Sequence, residues 1–169
     1  MHPLPHTRSC FVCGEANPAG LRLRFHTDRR LVSARFVPGP EHVGFKRTVH
    51  GGLTATVLDE AMVWACAVRT RQFTYCAELN VRYRQPVRPG ETLTVEAELV
   101  EDRRGKIFLA RAELRNADAV ALATATGKYL PVPTAETTGM WDDFVGDARE
   151  ALAQIWLESG EAAATTGLP

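Results

Sequence analysis

The strongest constraint on the fold of this chain is one long apolar segment without a helix breaker. Residues 53–70 contain neither glycine nor proline, and Gly51 and Gly52 directly precede them. The apolar side chains do not form a single stripe, because they cover most of the circumference of a helix. They are Leu53, Ala55, Val57, Leu58, Ala61, Met62, Trp64, Ala65, Ala67 and Val68. A helix that is apolar on nearly all sides is buried, so we predict a central helix over residues 52–70.

The rest of the chain must supply the apolar surface that covers this helix, and its pattern predicts an antiparallel sheet. Four segments with strand character follow the helix and are separated by short turns. They are residues 75–83, 92–100, 107–114 and 119–130. Two earlier segments, 21–25 and 31–37, predict a hairpin. The predicted fold class is therefore α+β, with a sheet that curls around one helix and an edge strand that dimerisation would cover.

Both ends of the chain lie outside this predicted domain of residues 21–131. Residues 1–20 are rich in proline, histidine, cysteine and glycine and predict an irregular arm. Apolar residues at helical spacing predict a C-terminal helix over residues 139–158, and residues 160–169 predict a disordered tail. Residues 40–50 have no clear period and predict a loop.

Charge and cysteine content exclude several classes of function. Twenty basic and twenty acidic residues cancel, so the global charge does not indicate binding to nucleic acid or to a membrane surface. We find no apolar run of signal-peptide length near the N-terminus and expect none of membrane-spanning length. A cytoplasmic protein without nucleic-acid or membrane partners is expected. Four cysteines in such a chain do not predict a disulfide framework.

The start of the long helix carries the pattern that indicates chemistry. Two glycines leave the first N–H groups of the helix uncovered by side chains, and these groups and the helix dipole favour negative charge. A thioester carbonyl that becomes an oxyanion needs such donors. Asp59 follows two turns later, roughly 12 Å along the axis from Gly51 at about 1.5 Å per residue. Two antiparallel central helices in a dimer would bring Gly51 of one chain to Asp59 of the other.

At these residues the chain resembles a known family. His50-Gly51-Gly52 followed by Asp59-Glu60-Ala61 is similar to the signature of the hotdog thioesterases, specifically the phenylacetate-pathway and 4-hydroxybenzoyl-CoA thioesterase-like branch. Residues 79–87 with Gly90 resemble the strand that follows the helix in that family, and Arg104-Gly105-Lys106 resembles its next turn. The resemblance covers about residues 20–131.

The resemblance implies a hotdog fold and an acyl-CoA thioesterase that works as a dimer or a dimer of dimers, with sites between subunits. It implies that the Gly51 N–H polarises the thioester carbonyl, with Gly52 contacting substrate and His50 holding the carbonyl end or the helix start. Asp59 of the partner chain is implied as general base on water or as nucleophile. Some relatives carry Asn or Gln six residues before the histidine to place the water, and Gly44 stands there in this chain.

A basic turn is the candidate for binding the phosphates of coenzyme A. Arg103, Arg104 and Lys106 lie at a predicted turn tip, where charge-assisted contacts to phosphate are available. A solvated tip is the alternative. Arg82 and Arg84 lie on a strand and are weaker candidates.

The N-terminal arm contains Cys10 and Cys13 with the spacing of half a zinc site. No second CxxC exists in the sequence, and no histidine stands at a diagnostic spacing. We therefore expect no metal and no cofactor, and an arm that covers the acyl pocket. Glu60 points about 100° away from Asp59 on a helix, which favours a structural, ion-paired role.

Three functions remain open at the level of the sequence. The first is hydrolysis of an acyl-CoA thioester. The second is a hotdog dehydratase or hydratase, in which His50 and Asp59 would move a proton at carbon. The third is an acyl-CoA-binding module without catalysis, which would not need Asp59. Only the first releases free CoA.

Overall fold

The computed structural model describes residues 1–157, and one sheet curled around one long helix dominates it. The helices are α1 (Gly51–Thr70), α2 (Thr134–Met140) and α3 (Ala148–Leu157). The strands are β1 (His2–Pro3), β2 (His26–Thr27), β3 (Leu31–Phe36), β4 (Val43–Phe45), β5 (Thr48–Val49), β6 (Thr74–Tyr83), β7 (Leu93–Arg103), β8 (Ile107–Arg115) and β9 (Ala121–Pro131). The predicted fold class is confirmed.

Helix α1 is the centre of the core, as its all-round apolar pattern predicts. It begins at Gly51, one residue before the prediction, because His50 supplies the N-cap. It ends at Thr70, where Arg71 turns left-handed (φ 61°) and its N–H donates to the Ala67 carbonyl oxygen. By length and composition α1 is also a candidate membrane span, so the expectation that no segment reaches that length was wrong. Its packing inside the sheet explains the apolar composition.

The sheet has the strand order β1-β2-β3-β7-β8-β9-β6, with every pair antiparallel. Side chains on β7 alternate as predicted, with Leu93, Val95 and Ala97 buried beneath the sheet. Strands β7, β8 and β9 form the predicted meander, but β6 lies beyond β9 and not beside β7. The connection 84–92 contains Pro86 and Pro89, which suit a crossing loop and not a tight hairpin. Strand β6 is therefore an edge strand.

The segments before α1 are more ordered than predicted. Residues 21–25 are not a strand, and the hairpin that was expected there pairs only β2 with β3. Strands β4 and β5 form a small hairpin within the predicted loop of residues 40–50. The arm is not irregular throughout, since β1 pairs with β2 and the side chains of Leu4 and Val12 are buried in the core.

The predicted C-terminal helix of residues 139–158 is wrong in its first half. Residues 141–143 form a single 3-10 turn, Phe144 is extended, and Gly146 has a left-handed φ of 68°. Trp141 and Phe144 pack against Phe73 in an aromatic cluster, so tertiary packing and not a helix uses their spacing. Helix α3 starts only at Ala148. Residue 158 and the predicted tail lie outside the described residues.

Candidate active site

The start of α1 presents one free backbone donor. The His50 Nδ1 accepts a hydrogen bond from the Gly52 N–H at 2.9 Å, so the Gly52 donor that was predicted to contact substrate is already engaged. Within residues 1–157 the Gly51 N–H has no acceptor. It therefore lies at the positive end of the helix dipole, ready for an anion.

The role of His50 as the helix cap also fixes what its ring can do. Because Nδ1 accepts from Gly52, the proton of the neutral ring lies on Nε2, which is a donor. The ring packs against Gly44, where an added Cβ would lie 2.6 Å from the His50 Cδ2. Glycine at position 44 is thus explained by the space that the His50 ring occupies. The residue that positions water in some relatives has no counterpart at this place.

A cleft of about 360 Å³ adjoins the free Gly51 donor. The Tyr83 hydroxyl donates to the Gly51 carbonyl oxygen at 2.8 Å and ties the end of β6 to the start of α1. The other residues that line the cleft are Thr48, Val49, Thr54, Arg84, Gln85, Pro86 and Val87. A small carbonyl group could enter here, but Asp59 is not among the lining residues.

Asp59 is held in place from the sheet. The Tyr129 hydroxyl on β9 donates to the Asp59 Oδ1 at 2.8 Å, which leaves Oδ2 as the acceptor for another group. Tyr129 is fully buried, and burial together with the Asp59 charge raises the pKa of its hydroxyl. An added Cβ at Gly127 would lie 2.5 Å from the Tyr129 Cε2. Gly127 therefore makes the space in which the Tyr129 ring reaches Asp59.

A thiol completes the surroundings of Asp59. Cys76 lies on the edge strand β6, and desolvation together with a contact to Asp59 raises the pKa of its thiol to about 11. Cys66, buried on α1, has its thiol pKa raised to about 12, mainly by burial. Both thiols stay protonated near neutral pH, so neither is an activated nucleophile. The carboxylate of Asp59 is the group at this place that can accept a proton.

The predicted phosphate contacts do not lie beside Gly51 of the same chain. The turn between β7 and β8 reaches Gln72, just after the last residue of α1, and α1 is about 30 Å long. Arg103 is paired through two nitrogens with Glu101, at 3.0 and 3.1 Å. Arg104 and Lys106 have no ionic partner within the described part of the chain. The cation that lines the Gly51 cleft is instead Arg84.

Glu60 faces away from Asp59 and meets the arm. Its Oε1 lies 3.8 Å from the Cys10 Sγ, and the Cys13 Sγ completes the cluster. The predicted ion pair is absent, since no cation of residues 1–157 lies within salt-bridge distance of Glu60. Burial raises the pKa of the Glu60 carboxyl to about 8. A hydrogen bond with Cys13 lowers the pKa of Cys10, and the same bond raises the pKa of Cys13.

Tyr129, Gly127 and Tyr83 are site residues that were not selected from the sequence, and Arg84 was selected only as a weaker candidate for phosphate binding. A glycine two positions before an aromatic residue on a strand is a usable signal, because a strand glycine marks close approach of another group. No local signal pairs Tyr83 with Gly51 or Tyr129 with Asp59. A larger groove of about 490 Å³ lies across β7, β8 and β9 on the face away from α1. Its lining includes neither Asp59 nor Gly51.

One family model and several solved structures are similar to this chain. Residues 47–123 match the model of the thioesterase superfamily. Among curated proteins, none matches the chain. A crystal structure of a thioesterase superfamily protein is 23% identical with a TM-score of 0.68, and the match covers 73% of this chain and 63% of that chain, less than two thirds.

Two further solved structures have the same fold. The E. coli PaaI protein from the phenylacetic acid degradation operon is 18% identical with a TM-score of 0.62, over 67% of this chain and 81% of that one. The smu.793 protein of Streptococcus mutans UA159, solved bound to acetyl CoA, is 16% identical with a TM-score of 0.60, over 65% and 88%. At these identities the likeness shows the fold alone.

Proposed function

We propose that the chain, whose residues 47–123 match the model of the thioesterase superfamily, hydrolyses an acyl-CoA thioester to a free acid and CoA. The observation that carries this proposal is the pair of prepared groups on α1. One is the Gly51 N–H, without an acceptor at the helix start, and the other is Asp59, oriented by Tyr129.

The Gly51 N–H serves the carbonyl oxygen. As water attacks the thioester carbon, negative charge develops on this oxygen, and a fixed donor at a helix N-terminus stabilises that charge most strongly in the transition state. The His50 Nε2–H is a second donor, on the residue that precedes Gly51, because Nδ1 is occupied by Gly52. Gly52 contributes because it has no Cβ. A Cβ at this position would lie 2.9 Å from the Nδ1 of the His50 ring.

Asp59 serves the water. With Oδ1 held by Tyr129, Oδ2 takes a proton from water, and the hydroxide adds to the carbonyl carbon. When the tetrahedral intermediate collapses, the carbon–sulfur bond breaks and the thiolate of CoA leaves. The proton on Asp59 then passes to that sulfur, and the carboxylate is restored for the next cycle.

The two groups would meet across a dimer. On one helix they are roughly 12 Å apart along the axis, and the Gly51 cleft does not include Asp59. Strand β6 has β9 on one side only, which leaves an edge for a second copy. In a dimer with antiparallel central helices, Asp59 and the basic turn of Arg103, Arg104 and Lys106 would approach the Gly51 end of the partner.

Two exposed cations and one similar protein support acyl-CoA as the substrate class. Coenzyme A carries phosphates that suit Arg104 and Lys106, whose charges are unpaired within the described residues. The ligand of the similar Streptococcus mutans protein, acetyl CoA, belongs to this class. A hydratase is less favoured, because the free nitrogen of the His50 ring is a donor and not a base. The cytoplasmic location expected from the sequence stays a prediction.

A panel of acyl-CoAs with a thiol reagent tests the proposal. We expect free CoA from at least one substrate with the parent chain and almost none with Asp59→Asn, while CoA binding is retained. Asp118→Asn makes the same chemical change at an exposed turn and should match the parent. If no acyl-CoA releases its thiol, or if Asp59→Asn is as active as Asp118→Asn, the proposal is wrong.

A further inference from the structure

Three side chains that sequence spacing alone does not connect meet under the N-terminal arm. The Sγ atoms of Cys10 and Cys13 and a carboxylate oxygen of Glu60 all lie within 4.8 Å of one another. Cys10 and Glu60 are separated by 50 positions in the chain. Within the described residues this is the one cluster of three or more cysteine, histidine or acidic groups with metal-binding spacing.

Within residues 1–157 no cationic side chain pairs with this cluster. Two thiols and a carboxyl group are gathered beside the core, and no lysine, arginine or histidine of those residues pairs with Glu60. A buried carboxyl group is either protonated or paired with a cation. The thiol of Cys10 faces the Glu60 carboxyl group at 3.8 Å, and a cation bound between them would pair with the carboxylate in place of the proton.

The turn that presents the two thiols is shaped for a bound ion. The Val12 N–H points at the Cys10 Sγ at 3.2 Å, and the Gly14 N–H donates to the Cys10 carbonyl oxygen at 2.9 Å. An added Cβ at Gly14 would lie 2.2 Å from that carbonyl oxygen, so only glycine permits the tight turn. Backbone N–H groups aimed at a sulfur stabilise a thiolate, which is the form that ligates metal.

We propose that Cys10, Cys13 and Glu60 bind a divalent zinc-class ion. Tetrahedral zinc with sulfur ligands at about 2.3 Å and oxygen at about 2.1 Å requires sulfur–oxygen separations of about 3.6 Å. The Cys10 Sγ and the Glu60 Oε1 are 3.8 Å apart. Two thiolates and a carboxylate more than balance the two positive charges of the ion, and the fourth position is left for water. The sequence expectation of no metal failed to consider Glu60, because only the fold brings that carboxylate to the CxxC turn.

The ion would connect three parts of the fold: the N-terminal arm, the C-terminal segment and α1. The arm is already joined to the C-terminal segment, since the Ser9 hydroxyl donates to Asp143 at 2.6 Å and Thr7 bridges to Phe144. Zinc adds a bond from the same arm to the middle of α1, one residue from Asp59. The metal site does not include Gly51 or Asp59, so metal binding can be tested independently of thioester hydrolysis.

Metal titration of the reduced, chelator-stripped chain tests the proposal. We expect one Zn²⁺ per chain in competition with a colorimetric chelator, and thiolate-to-metal charge-transfer absorption when Co²⁺ replaces zinc. Loss of even an outer partner of a metal site costs about 10- to 100-fold in affinity, so Cys10→Ser, Cys13→Ser and Glu60→Gln should each cost about 100-fold or more. Cys76→Ser removes an exposed thiol and should bind zinc as the parent does.

Thermal unfolding keeps the test decisive if a cysteine variant folds poorly. Binding to the native state raises the Tm with zinc concentration, and this rise should be present in the parent and in Cys76→Ser but missing in Glu60→Gln. The proposal is overturned if the reduced parent binds no stoichiometric zinc, or if Glu60→Gln binds it as tightly as the parent. It is equally overturned if Cys76→Ser abolishes binding, since the metal would then lie elsewhere.

Discussion

Asp59 and Glu60 are neighbours in the sequence, but their side chains leave α1 in different directions and lie in unlike surroundings. Asp59 accepts a hydrogen bond from a buried tyrosine of the sheet, and Glu60 meets two thiols of the arm. A helix turns about 100° per residue, so adjacent acids cannot share one site. Single substitutions should therefore separate the proposed chemistry at Asp59 from the proposed metal binding at Glu60.

The largest effect on activity is expected from substitution of Asp59, and it would distinguish this residue from Glu60. A positioned general base contributes about 10²- to 10⁴-fold in rate, so Asp59→Asn should lower kcat within that range while acyl-CoA binding is largely retained. Glu60→Gln, measured with the same substrate, should cost much less. Steady-state kinetics measure kcat and KM for both variants. If Asp59→Asn is fully active and Glu60→Gln is inactive, the general base is Glu60 and not Asp59.

The next effect is expected at the donor end of the same helix. Gly51→Pro removes the free N–H at the first helical position, where proline is tolerated, and the extended His50 (φ −59°, ψ 129°) suits a following proline. Loss of one oxyanion donor costs about 10²- to 10³-fold in kcat. Gly51→Ala keeps the N–H and places the same Cβ near Tyr83, so it should lose far less. Equal losses in both variants would refute the donor role.

Mixing these two inactive variants tests whether two chains share each site. Half of a random mixture is heterodimer, and each heterodimer of Asp59→Asn with Gly51→Pro carries one intact site, so about a quarter of the parent activity should return. Light scattering should first show a dimer or larger assembly. If subunit exchange is demonstrated and no activity returns, Asp59 and Gly51 do not meet across an interface.

A smaller effect is expected at the residue that orients Asp59. Tyr129→Phe removes the hydroxyl that donates to Oδ1 but keeps the ring in its buried place. A hydrogen bond to a charged group is worth about 1.5–3 kcal/mol, so kcat should fall roughly 10- to 100-fold with little change in KM. Tyr75→Phe makes the same change on the exposed hydroxyl that donates to Glu136 and serves as the matched control.

The smallest effect is expected at the basic residues that we propose to bind phosphate. Arg104→Ala and Lys106→Ala should each raise KM a few-fold without lowering kcat, because exposed charge pairs contribute about 0.2–1 kcal/mol. The increase should shrink at high salt, where exposed charges are screened. Arg84→Ala, at the Gly51 cleft, is the informative comparison. A larger KM effect there would show that phosphate lies at this end of α1 in the same chain.

The features that local sequence predicts correctly all depend on short-range rules. The bounds of α1 follow from an uninterrupted apolar run after two glycines, and the alternation on β7 shows which side chains face the core. The first half of the predicted C-terminal helix was wrong because Trp141 and Phe144 mimic helical spacing while they pack into an aromatic cluster. Over one helical turn, helical periodicity and aromatic packing produce the same spacing of apolar residues. Gly146 was the one sequence signal that the helix does not extend through this segment.

The sequence by itself determined the long buried helix, the strand faces and the association of glycines with an acidic residue on α1. These follow from helix and strand periodicity, which a few neighbouring residues define. Tertiary structure alone decided that Tyr129 orients Asp59 across 70 positions, that Glu60 joins Cys10 and Cys13, and that the basic turn lies far from Gly51. Such meetings depend on strand order and on how the sheet curls around the helix, and these are properties of the whole chain that no local pattern encodes.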